Sequence, residues 1–214
     1  TISYGWSQIQ DGGSATLGGG DHDLNFQRIH HALTGDFENG SEWSWGAEVE
    51  TSRSESDGTI RYGDHDFDRT TGRVQLVGPN SQTDFFAGYQ SKFFGWPGMY
   101  TADRFANPTT GILAPEYENL KTRLFVINHT RNYAEDSYVE LTATHRRHTD
   151  NYILNATHYT PSPFEFIADH ETKATALGFS GFHRLDQQIG INYAGQITAD
   201  DIDSSSLEQG DFTS

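Results

Sequence analysis

The sequence predicts an all-β chain: an antiparallel meander of about nine long strands with one face set toward lipid. Three observations carry this. Apolar and polar residues alternate with period two over most of the 214 residues, the signature of strands with two unlike faces. Short polar turns alternate with long connections. Aromatic residues make up 13% of the chain while hydrophobic residues total only 34%, so it is poor in the aliphatics that fill soluble cores and rich in rings that favour membrane–water boundaries.

Taken in order, Ile2, Tyr4 and Trp6 alternate with Ser3, Gly5 and Ser7 and predict a first strand, followed by a Gly/Asp-rich loop over about 10–22. A run at 24–35 slips its period between Phe26 and Ile29, which leaves its faces unassigned. In SEWSWGAEVETS (41–52), Trp43, Trp45, Ala47 and Val49 oppose Ser44, Gly46, Glu48 and Glu50. Val74 and Leu76 oppose Arg73 and Gln75; Phe85, Ala87, Tyr89 and Phe93 oppose Asp84, Gln90 and Lys92. Leu120, Thr122, Leu124 and Val126 oppose Lys121 and Arg123, so Leu124 is expected outward and Arg123 inward. Val139, Leu141 and Ala143 oppose Glu140, Thr142 and Thr144; a small-residue run follows near 170–182. Ile189, Ile191, Tyr193 and Ile197 oppose Asn192, Gln196 and Thr198. No sustained 3.6-residue period predicts a helix.

GDFENGS, GPNSQ, NYAEDS and RLDQQ suit tight hairpins, whereas about 53–65, 96–117 and 149–167 are long. Such strict alternation places turns at one end of the sheet and loops at the other, as in outer-membrane barrels. The Trp43/Trp45 face is therefore expected to meet lipid and the Glu48/Glu50 face a wet interior.

Composition excludes other classes. With 14 Lys+Arg against 30 Asp+Glu, the charge of −16 argues against nucleic-acid binding. The absence of cysteine removes disulfides, thiolate metal sites and cysteine nucleophiles. No stretch approaches the roughly 20 apolar residues of a membrane helix. The chain opens on TISYGWSQ with no basic, apolar-cored leader, which fits a cytosolic protein or an internal piece of a longer precursor.

TISYGWSQ, the long strand WSWGAEVETSRSESDG, YQSKFFGWPGMYT followed by NLKTRLFVINHTRNY, and HYTPSPFEF followed by QIGINYAGQITADDIDSSS resemble the barrel of TonB-dependent outer-membrane receptors. The likeness covers nearly the whole chain and is to a subgroup often compared with vitamin B12 (cobalamin) and siderophore importers. It implies a wall segment, residues 1–214, of a 22-stranded transmembrane β-barrel in the outer membrane of a Gram-negative bacterium, without plug or C-terminal strands. About nine strands cannot close such a barrel, so an open curved sheet with two raw edges is expected. The implied function is active uptake of a scarce nutrient. The implied partners are outer-membrane lipid and lipopolysaccharide, the chain's own plug, TonB through that plug, and the small-molecule nutrient. No cofactor and no enzymatic activity are implied. The rivals are a passive porin-like barrel and a soluble all-β carbohydrate-binding domain.

Candidate ligand contacts are Trp96, Tyr100, Arg104 and Tyr117, since aromatic and cationic residues on a long loop suit capture of a nutrient. Two tripeptides, Asp21-His22-Asp23 and Asp64-His65-Asp66, offer hard oxygens and imidazole, but their spacing matches no defined metal loop, so solvated loop residues are expected. His145-Arg146-Arg147-His148, with His30-His31, is a basic cluster expected to pair with acids on neighbouring strands; the other reading is an anionic ligand or lipopolysaccharide. No GxSxG, HExxH or Walker motif is present.

Overall fold

A computed structural model describes residues 6–37, 40–59, 63–96, 116–154, 166–205 and 211–213. They form one antiparallel meander in sequence order, β1 to β10. Its strands are β1 (Gly12–Gly19), β2 (Asn25–Asp36), β3 (Ser44–Ser56), β4 (His65–Gly78), β5 (Ser81–Trp96), β6 (Glu116–Ala134), β7 (Ser137–Leu154), β8 (Phe166–Arg184), β9 (Gly190–Ser204) and the three-residue β10 (Asp211–Thr213). The described residues contain no helix. The sheet is open: β1 pairs only with β2, and β10 only with β9.

The opening differs from expectation. Of the expected first strand, Ile2 to Gly5 lie outside the described residues; residues 6–10 are not strand, and the first described strand is the Gly-rich run GGSATLGG, taken from sequence for loop. Asp21-His22-Asp23 then makes a tight turn, with His22 and Asp23 at φ of 60° and 53°. Aspartate tolerates that left-handed backbone better than most residues.

The hairpin ends follow local chemistry. Pro79 and Asn80 join β4 to β5; Glu135 and Asp136, the latter at φ 53°, join β6 to β7. Between β8 and β9, the Asp186 carboxylate accepts from the amides of Gln188 (2.7 Å) and Ile189 (2.8 Å), an Asx-type turn. All these turns lie at one end. At the other end are the connections over 57–64, 97–115, 155–165 and 205–210, with only the β1–β2 turn short.

Register assigns the faces. Leu33, Ala47, Val74, Phe85, Ile127, Ala143, Leu177 and Ile197 are successive cross-strand partners from β2 to β9, forming one apolar row on one face. Trp45, Leu76, Leu141 and Phe179 lie in the next row toward the turns. Val49, Ala87 and Phe125 lie in the next row toward the loops. The opposite face carries Glu48, Arg73, Gln75, Asp84, Asn128, Glu140, Thr142 and Gln196.

Burial is inverted relative to a soluble fold. Among the described residues the buried apolar side chains are Ile9, Ala32 and Ala168, while Arg73, Gln75, Asp84, Asn128, Ser137 and Ser204 are buried polar ones. Val49, Phe85, Phe125, Leu141, Leu177 and Ile197 are all exposed. A single sheet with no described residue packed over its apolar face has no core of its own among those residues.

The expected orientation is met at Trp45, Val49, Phe85, Tyr89, Leu141, Ile191 and Tyr193, with Glu48, Glu50, Gln90, Glu140 and Gln196 opposite. It is reversed in β6. There Phe125 and Ile127 share the apolar face with Lys121 and Arg123, while Leu124 and Val126 join the polar face. The cause is the unbroken apolar run Leu124-Phe125-Val126-Ile127, in which both parities look alike; pairing of Phe85 with Ile127 decides.

Candidate functional site on the polar face

Two features of β4 and β5 build the site. The two-residue turn at Pro79-Asn80 sets Gln75 opposite Asp84 and Val77 opposite Gln82, so Arg73, Gln75, Gln82 and Asp84 fall on one face near the hairpin base. Asp84 is 1% exposed and Gln75 1%. A buried carboxylate needs compensation. Arg73 supplies it through Nε (2.9 Å) and Nη2 (2.7 Å) to Oδ1, joined by Gln75 Nε2 at 2.7 Å; Gln82 Nε2 donates to Oδ2 at 2.8 Å.

The same donors grip the start of the chain. Arg73 Nη2 donates to the Ser7 carbonyl at 2.5 Å, as does Gln75 Nε2 at 3.2 Å. Gln82 Nε2 donates to the Trp6 carbonyl at 2.9 Å, and the Ile9 amide donates to Gln75 Oε1 at 2.9 Å. The Arg73 guanidinium stands 5.0 Å from the Trp6 ring centre, a cation–π contact. Ile9 presses onto Gly46, where a Cβ would come within 2.8 Å of it. A stretch of backbone is thus held against the polar face by side chains rather than by sheet pairing.

Beside this segment lies a cavity of about 1000 Å³, lined by Trp6, Ser7 and polar-face residues of all six strands β4 to β9. The lining is drawn from six neighbouring strands. Its wall mixes Asn128, Glu140, Thr142, Thr144, Ser180 and Gln196 with Phe86, Leu124 and Val126. Asn128 donates to Thr142 at 2.9 Å, and Thr130 to Glu140 at 3.3 Å. Such a surface offers hydrogen bonds to a polar occupant without a strong charge of either sign.

The loop-borne candidates are distributed differently. Trp96 ends β5, paired with Glu116. Tyr117, opposite Gly95, lies on the outward face, stacked on Phe93 at 5.2 Å. Tyr100 and Arg104 lie outside the described residues. Of the DHD tripeptides, the first sits in the β1–β2 turn, where the His22 carbonyl accepts from the Asp57 amide and Ser56 hydroxyl (2.9 Å each). In the second, His65 meets Ser54 at 3.2 Å and Asp66 meets Arg53 at 3.0 Å. Among the described residues no three His, Asp or Glu groups converge to hold a metal.

The basic cluster splits across the sheet. His145 and Arg147 point outward, where His145 meets Thr175 (2.9 Å) and Arg147 Nη2 meets Glu171 (2.6 Å); Arg146 and His148 point inward. His30 faces Glu48 at 3.6 Å on the polar face, and His31 lies on the other face. The Arg73–Asp84 cluster was not singled out from the sequence. Its signal was the RVQLVGPNSQTD hairpin, whose short turn already places 73, 75, 82 and 84 on one side.

Comparison with known proteins returned no matching family model, no matching curated protein and no matching solved structure.

Proposed function

We propose that the chain is part of the wall of an outer-membrane β-barrel receptor of the TonB-dependent kind, serving active uptake of a scarce nutrient such as a siderophore or cobalamin. The observation that carries this reading is the inverted sheet: an uncovered apolar band outside, buried polar groups and a polar cavity inside. Water opposes such an outer face, and a hydrocarbon layer favours it. The long β6–β8 strands, at roughly 3.4 Å per residue, reach far beyond a band about 25 Å tall, which suits a barrel with elevated extracellular walls. The grip on residues 6–9 favours a receptor over an empty pore, because it ties chain N-terminal to the wall into the lumen. In this function the residues bind, orient and enclose. The loop between Trp96 and Tyr117 captures the nutrient at the mouth, the polar cavity lines its passage, and energy arrives through the inner domain and TonB.

The test uses the full-length gene product in its own outer membrane. Uptake of labelled cobalamin or ferric siderophore is measured with and without a proton-motive force. Uptake that depends on both the gene and the energised state supports the reading. Uptake that is gene-dependent but indifferent to energy makes the protein a passive barrel, and recovery of the protein in the soluble fraction overturns the membrane placement altogether.

A further inference from the structure

One row of the polar face already holds a peptide. Thr34, Gly46, Gln75 and Asp84 are successive cross-strand partners from β2 to β5, and residues 6–11 lie over them, crossing the strands instead of pairing with them. The Asp11 carboxylate accepts from the Thr34 hydroxyl on β2 at 2.9 Å. Ile9 rests on Gly46 of β3 and bonds Gln75 of β4, and the Trp6 carbonyl accepts from Gln82 of β5. Three strand spacings make about 14 Å and five extended residue steps about 17 Å, so the segment crosses nearly extended. The hydrogen bonds that hold Trp6, Ser7 and Ile9 all end on their main-chain atoms. This half of the row is therefore a site for peptide backbone.

The same row runs on through Asn128, Thr142, Gly178 and Gln196, from β6 to β9, and these four line the cavity of about 1000 Å³ whose near wall is Trp6 and Ser7. The Thr144 and Ser180 hydroxyls and the Gln196 amide make no side-chain hydrogen bond with any described residue, and Glu140 makes no ion pair with one. Gly178 leaves the floor bare, since a Cβ there would meet only the Gly195 carbonyl oxygen, at 3.7 Å. A glycine so placed lets another backbone approach closely. We infer that this cavity binds an extended oligopeptide of about six residues, lying across β6 to β9 as residues 6–11 lie across β2 to β5. Four strand spacings, about 19 Å, match about six extended residues. Gln196 and the two hydroxyls meet its main-chain amides and carbonyls, Glu140 meets one cationic group, and Phe86, Leu124 and Val126 meet its apolar side chains. This names the class of cargo for the receptor reading and rests on that reading. A saccharide would also suit hydroxyls and amides, but the occupant the row already carries is peptide.

The test uses full-length protein in phosphatidylcholine nanodiscs, with fluorescence anisotropy of a labelled hexapeptide, Ala-Thr-Ala-Thr-Ala-Lys, as the readout. Saturable binding to the parent is expected. The same hexapeptide methylated on every backbone nitrogen keeps its side chains but loses its amide donors, and is expected to bind about tenfold or more weakly. Gly178→Leu, which raises a side chain from the cavity floor, is expected to weaken the unmethylated peptide by about tenfold or more. Gly72→Leu, on the opposite face, is expected to bind it like the parent. No binding to the parent, equal binding of the methylated peptide, equal binding by Gly178→Leu or equal loss in Gly72→Leu overturns the site. Displacement of the hexapeptide by an equal concentration of maltohexaose overturns the peptide and makes the occupant a saccharide. Quenching of Trp43 and Trp45 by brominated phosphatidylcholine, read in the same discs for parent and variants, reports membrane placement and folding separately, so the failure of one reading is distinguishable from that of the other.

Discussion

Trp45 covers Gly35, its direct partner on β2, so closely that a Cβ on the glycine would lie 2.9 Å from the indole ring. Tyr193 and Phe179 cover Gly181 and Gly195 in the same manner, each aromatic ring lying over the glycine across the strand pair. Rings laid over glycines fill the sheet surface and pin register. Gly35→Ala is expected to displace Trp45 and cost about 1–3 kcal/mol. Gly72→Ala meets only the Glu48 carbonyl at 3.9 Å and is expected to be neutral or to stabilise by up to about 1 kcal/mol, through reduced backbone entropy. Denaturant titration of both variants of the full-length protein in detergent checks the contrast.

Leu177 stands in the middle apolar row and is half exposed. On the proposed membrane reading, which sets this row near the bilayer midplane, Leu177→Arg is expected to cost about 2–4 kcal/mol. Thr198→Arg, its polar-face neighbour one residue along β9 from Ile197, is expected to stay within about 0.5 kcal/mol. Folding titrations into lipid vesicles compare the two, and equal costs would remove the distinction between faces.

Asp84→Ala leaves Arg73 buried without its main counter-ion and is expected to cost about 3–5 kcal/mol. Arg28→Ala breaks an exposed pair with Glu50 and is expected to cost less than about 1 kcal/mol. The Asp84 variant has a second readout: a spin label at Gln8 should gain mobility as the grip on Ser7 loosens.

On the proposed receptor reading, deletion of residues 101 to 115 in the full-length protein is expected to weaken nutrient binding to whole cells by about tenfold or more, as the loss of hot-spot rings would. Unchanged affinity at normal surface expression would move the binding residues elsewhere.

Most of the sheet was legible from alternation, because strands with one apolar face repeat every second residue. Phe85-Ala87-Tyr89 and Val139-Leu141-Ala143 fell on the expected side. Legibility failed where that contrast vanished. In β6 the run Leu124 to Ile127 is apolar on both faces, and only the neighbouring strand settles its parity. At the start, GGSATLGG carries one large apolar residue, Leu17, so an edge strand exposed throughout looks like loop. Trp6 belongs to a segment set by contacts 66 to 76 residues away, which no local pattern records.

That separation has a kinetic meaning. The β4–β5 hairpin closes across two residues and forms early, on the microsecond scale typical of hairpins. The bonds from Ile9 to Gln75 and from Gln82 to Trp6 must close far longer loops, and the hairpin is what sets both glutamine amides side by side on one face to receive them. Residues 6–9, though they precede every described strand in the sequence, are therefore among the last to find their place. The backbone from Trp6 to Ile9 is thus moored to the polar face only after the hairpin that holds it has formed.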